Sequence, residues 1–160
     1  MRSVVPRVKV ENEILGLEDR KKAAMSAARA ETELGSWIIE GHSLRIEYLP
    51  SVLEEICALA VEGLSRLRRG GVEVGGVLFG VRDGETVRIL TFRPTPCEHA
   101  AGPSFSLSEK DRRALENVLE SARRDRALRG LEPLGWYHSH TRSEIFLSDE
   151  DLEIYDGYFP

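Results

Sequence analysis

The chain has 160 residues and a mass of 18.0 kDa, enough for one domain with a buried core. Apolar residues at 41% and charged residues at 31% exclude an intrinsically disordered chain, and a net charge of −5 excludes a general nucleic-acid binder held by phosphate neutralisation. Two cysteines, Cys57 and Cys97, are too few for a disulfide framework and lack metal-knuckle spacing, so they read as reduced thiols in a cytoplasmic protein. The longest apolar run, Ile56 to Val61, is six residues, and neither a membrane helix nor a signal peptide is expected.

Residues 1–35 form a charged, Ala-rich stretch that predicts an appended helix or arm over Glu18 to Glu33, with Gly35 placed to end it. The domain proper is expected from residue 36 to 160. Leu44 to Tyr48 alternates apolar and polar residues, as a half-buried strand does. Ser51-x-x-Glu54 reads as a capping box for a helix whose apolar stripe is Val52, Leu53, Ile56, Cys57, Ala60, Leu64 and Leu67. Cys57 is therefore expected in the core. Arg68, Arg69 and two glycines suit that helix's end.

Val72 to Gly80 is apolar on both faces and predicts a central strand, returned through an Asp83-Gly84 hairpin as Thr86 to Phe92. A loop containing Pro94, Pro96, Gly102 and Pro103 leads to Ser108-x-x-Asp111, which caps a helix carrying Ala114, Leu115, Val118, Leu119 and Ala122. That helix ends in an arginine cluster, which the helix dipole explains better than nucleic acid does. Leu134 to His140 predicts a short strand, and Ser148 to Asp151 opens a last helix. The order, helix then β-α-β-β-α-β-α, describes an α/β or α+β domain with a mixed sheet.

The chemistry lies in His138-Ser-His140, seven residues, Ser148, two residues, Asp151. Histidines two apart on a strand present both rings to one face, and two neutral imidazoles can share a metal ion. Asp151, on the first turn of the next helix, supplies an anionic third ligand. Two His and one carboxylate with an open fourth position is the composition of a catalytic zinc site. Glu73, an acid inside the apolar strand, must meet an arginine, a donor or a metal-bound water, and is the candidate base. Ser148 is placed to donate to a developing oxyanion, and Ser148-x-x-Asp151 is equally a helix cap; the two roles are compatible. His99 with Cys97 reads as a loop pair rather than a second metal site, and His42 as solvated. Trp136 and Phe146 flank the motif, as core or as substrate contacts.

Glu73-x-x-Gly76-x-Leu78-x-Gly80 followed by the His138, His140, Ser148 and Asp151 spacing resembles the signature of the JAMM (MPN-plus, Mov34/PAD-1, JAB) zinc metalloproteases, prokaryotic type. Phe105 to Asp111 and Leu134-Gly-Trp-Tyr137 are similar to prokaryotic members, and the resemblance covers about residues 42–160. It implies a cytidine-deaminase-like JAB/MPN domain, a mixed sheet flanked by helices. It also implies Zn2+ held by His138, His140 and Asp151, Glu73 as general base and Ser148 as oxyanion donor. The implied substrates are peptide or isopeptide bonds at the C-terminal tails of ubiquitin-like or sulfur-carrier proteins, with no nucleic acid and no membrane as partner. The tail is expected along the loop Thr141 to Leu147 and a strand edge near Phe79. The alternative is a non-catalytic protein-binding module or scaffold. Two features depart from the family pattern. Thr141 stands where many members have proline, which predicts a less constrained loop. The family's further C-terminal strands are missing after Tyr158-Phe159-Pro160, which predicts a domain cut short, with an exposed edge that favours a homodimer or swapping.

Overall fold

A computed structural model describes residues 33–38, 40–66, 71–99, 105–141 and 144–159. The helix expected over Glu18 to Glu33 lies outside them, except for Glu33 itself. The described elements are β1 (Gly35–Ile38), β2 (Arg45–Tyr48), α1 (Pro50–Ser65), β3 (Gly75–Asp83), β4 (Thr86–Thr95), α2 (Glu109–Ala122), β5 (Glu132–His138) and α3 (Asp149–Tyr158), with a 3-10 turn at Arg126–Leu128. The five strands form one sheet in the order β1-β2-β4-β3-β5. Only β2 and β4 run parallel; the other pairs are antiparallel, so the sheet is mixed as expected. Among the described residues no helix is long and apolar enough to cross a membrane.

Four local expectations need correction. Gly35 ends no helix here; it opens β1 and pairs with Tyr48 of β2. Helix α1 starts one residue before the expected cap. Pro50, its φ already set for a helix, occupies the first turn, so Leu49 becomes the N-cap without a side-chain bond and the Ser51–Glu54 box does not form. Cys57 is exposed rather than core. The buried residues of α1 are Val52 and Gly63, and at about 100° per residue Cys57 lies about 140° around the helix from Val52. Finally, β3 begins at Gly75, so Val72 to Val74 and Glu73 with them precede the ladder, while β4 runs on through Pro94.

The hairpin forms as expected, with Gly84 at φ +59 opening a two-residue turn between Asp83 and Thr86. The Ser108–Asp111 box also forms: Ser108 Oγ accepts the Asp111 N–H, and Asp111 Oδ2 accepts the Ser108 N–H. Leu115 of α2 is buried. The core on this side of the sheet joins Val77 and Phe79 of β3 to Phe105, Leu107, Leu115, Leu128, Ile154 and Phe159. Phe79 is 1% exposed and its strand is flanked by β4 and β5, so β3 offers no edge there and the outer strand on that side is β5. The other face of the sheet carries Leu78, Ile89 and Tyr137, which line an apolar groove with Trp37 and α1.

Two glycines and one tyrosine give direct tests. A Cβ on Gly80 would stand 1.7 Å from the Arg88 carbonyl oxygen, a backbone atom that cannot step aside, whereas a Cβ on Gly84 meets nothing within 4 Å. Urea titration should show Gly80→Ala losing about 3 kcal/mol, and Gly84→Ala, strained only by its positive φ, losing about 1 kcal/mol. The Tyr137 hydroxyl is buried without a hydrogen-bond partner, and burial pushes its ionisation up to about 12. Removing it in Tyr137→Phe should add about 1 kcal/mol at neutral pH. The unfolded chain ionises this tyrosine from about pH 10. Its ionisation therefore leaves stability untouched below about pH 10 and lowers it as pH rises from there through about 12, a loss the phenylalanine variant should lack in alkaline unfolding scans.

Candidate functional site

The site is built where β5 ends. His138 is the last residue of the strand and pairs with Gly75 of β3. Beyond it the connection continues through Ser139, whose N–H donates to the Val74 carbonyl at 2.8 Å and whose hydroxyl accepts the Val74 N–H at 3.0 Å. The central serine of His-Ser-His thus fastens the histidine segment to the residue next to Glu73. Its neighbours drew attention in the sequence and it did not, because both its main chain and its hydroxyl serve to hold a main-chain segment 65 residues away.

Strand alternation carries past the ladder. Trp136, His138 and His140 lie on one side, and their rings form a row that Phe146 completes. Successive centroids are 4.8, 4.7 and 5.2 Å apart. Phe105 adds a parallel ring 6.2 Å from His138. Trp136 packs against the core, whereas Phe146 is about half exposed. Burial in this row lowers the His138 pKa from the ordinary histidine value, against the pull of the Asp151 carboxylate, and so favours the neutral imidazole.

Glu73 is 7% exposed, and among the described residues it forms no ion pair with an arginine or lysine. Its Oε2 accepts the Phe105 N–H at 2.9 Å and its Oε1 accepts the Thr141 N–H at 3.2 Å. Both partners are donors, as a carboxylate requires, and each oxygen keeps a second lone pair for another donor. The Thr141 amide therefore anchors the first residue of the loop to Glu73. Phe105, a residue the sequence offered only as a lead-in to α2, supplies the other donor through its main chain.

At the N-terminus of α3 the expected capping box is present. Ser148 Oγ accepts the Asp151 N–H at 3.2 Å, and Asp151 Oδ2 accepts the Ser148 N–H at 2.7 Å. This holds the Asp151 carboxylate with Oδ2 3.8 Å from His138 Nε2, too long for a hydrogen bond. Arg112 of α2 reaches Glu150 at 3.2 Å and ties the helix start to its neighbour.

Glu73, His138, His140, Ser148 and Asp151 all line a single cleft of about 170 Å³. The donor chemistry suits zinc: a buried neutral imidazole faces a carboxylate across a gap that no hydrogen bond closes, with a second imidazole alongside. Among the described residues, however, no three His, Cys, Asp or Glu side chains are drawn together closely enough to hold a metal ion. The Cys97 and His99 pair is a loop contact, as expected, with Sγ 3.7 Å from Nδ1 and the thiol pushed up by burial.

No curated protein matches the chain. Among solved structures, the solution structure of protein DSY2949 from Desulfitobacterium hafniense is similar, at 26% identity and a TM-score of 0.51. The match covers 68% of this chain and 66% of that one, just under two thirds of its length. The family described as JAB1/Mov34/MPN/PAD-1 ubiquitin protease matches residues 43–159. That range takes in the cleft and every described element except β1, and on it the chain belongs to the JAB/MPN family.

Proposed function

We propose that the chain is a zinc-dependent hydrolase of peptide or isopeptide bonds, acting on the C-terminal tails of ubiquitin-like or sulfur-carrier proteins. The observation that carries the reading is the meeting of a buried, donor-held carboxylate with two imidazoles, a capped carboxylate and a serine in one small cleft. The substrate class follows the description of the family.

His138, His140 and Asp151 would hold the metal. When bound, zinc supplies Lewis-acid chemistry, making water a stronger acid and polarising a carbonyl. Glu73 accepts the proton of the attacking water and returns it to the leaving amine. Its two main-chain donors keep the carboxylate in place while leaving lone pairs for that proton. Ser148 Oγ acts only as an acceptor in the cap, so its own hydrogen is available to the developing oxyanion.

Zinc content and cleavage of fusions ending in Gly-Gly test the assignment together. Glu73→Gln should keep stoichiometric zinc and lose cleavage, whereas His138→Ala should lose both. Ser148→Ala should cost about 1 kcal/mol of stability through the cap and about a hundredfold in rate through the lost donor. Stoichiometric zinc in the parent chain with no hydrolysis of any such fusion would instead establish a binding module, and parent protein that takes up no zinc would overturn the ligand assignment.

A further inference from the structure

Three consecutive large apolar side chains stand in water beside the cleft. Ile145 is 93% exposed, Phe146 54% and Leu147 64%. Single exposed apolar residues are ordinary, but a run of three costs solubility and marks a contact surface. This run is continuous with the site, since Phe146 lines the cleft and its ring lies 5.2 Å from His140. It is also held in place at its far end, where the Ser148–Asp151 box fixes the start of α3 directly after Leu147.

The surrounding charge narrows the occupant. Glu144 and Asp149 flank the run and are exposed, no Lys or Arg occurs from Glu144 to Pro160, and Arg112, which reaches this end of α3 from α2, is engaged by Glu150. An acidic rim repels phosphate-bearing surfaces, whether lipid or nucleic acid, and leaves a polypeptide with an apolar side chain as the fitting partner.

We propose that Ile145 to Leu147 form a specificity ridge that takes a large apolar side chain of the substrate polypeptide within three residues of the bond lying in the cleft. On a Gly-Gly tail the two glycines offer no side chain. The residue gripped is then the one directly after the pair or directly before it. The inference rests on the hydrolase reading only for what happens to the peptide once it is bound.

Fluorescence anisotropy on the full chain without metal separates binding from turnover. One set of labelled peptides carries Leu, Ser or Asp directly after a Gly-Gly pair, and a second set carries them directly before it. In at least one set the Leu peptide should bind about tenfold more tightly than the Ser peptide, with the Asp peptide weakest. The double variant Ile145→Ser/Leu147→Ser should bring the Leu and Ser peptides within about twofold of each other. Its thermal midpoint should stay unchanged, because both side chains are exposed. Equal affinities in both sets, or a preference that survives in the variant, would overturn the ridge. So would association of the parent with phosphatidylcholine vesicles that the variant loses, if no peptide preference accompanies it. Hydrolysis is scored separately with zinc added. A preference in binding with no hydrolysis sinks the hydrolase reading and leaves the ridge, and hydrolysis with no preference sinks the ridge alone.

Discussion

A carboxylate taken out of water needs a donor for each oxygen, and in this molecule Glu73 finds both in main-chain amides. One belongs to Phe105, ahead of α2, and the other to Thr141, just beyond the histidines. Two segments far apart in the chain are thereby fixed to one side chain of a third. Other contacts reinforce the same junction, notably the reciprocal pairing of Ser139 with Val74. Without Glu73 the Phe105 amide would lose its partner at a buried position, beside an aromatic ring that packs on Trp136 and His138. The carboxylate is thus structural and chemical at once.

The α3 N-terminus follows the same economy. A capping box is a local device that satisfies free amides at a helix start. Here its two side chains also line the cleft, so the bonds that begin the helix set the direction of the Asp151 carboxylate toward His138. Placing such groups on a helix start and a strand end gives them a rigid frame that a loop alone would not provide. The sheet's two faces divide the work. His138 lines the cleft with Trp136 stacked on it against the core, and Tyr137 between them lines the apolar groove behind.

Much of this was legible from spacing. The hairpin, the Ser108 and Ser148 caps and the gathering of Glu73, His138, His140, Ser148 and Asp151 all depend on short-range rules or on a motif whose residue types are chemically demanding. Apart from the start of α1, where Pro50 beside Ser51 decides locally, the misses were decided by a neighbour the local pattern does not contain. The phase of α1 was set by which edge, Val52 and Gly63, meets the sheet, and a stripe of apolar residues defines a face more loosely than that. Strand β1 exists because β2 offers it an edge, and four residues of mixed polarity do not announce a strand. The partners of Glu73 are backbone amides, and a sequence lists side chains. An arginine could have been sought; the Phe105 and Thr141 N–H groups could not.

The hydrogen bond from Thr141 has a consequence for how that position tolerates change. What Glu73 uses is the N–H, which every residue but proline possesses. Position 141 can therefore exchange its side chain widely, and the Thr141 hydroxyl, buried with no partner, contributes little to keep it. Proline alone would leave Oε1 of a buried carboxylate short of a donor. A chain with proline there must orient its glutamate by another group, so two domains with the same five cleft residues can hold that carboxylate by different means.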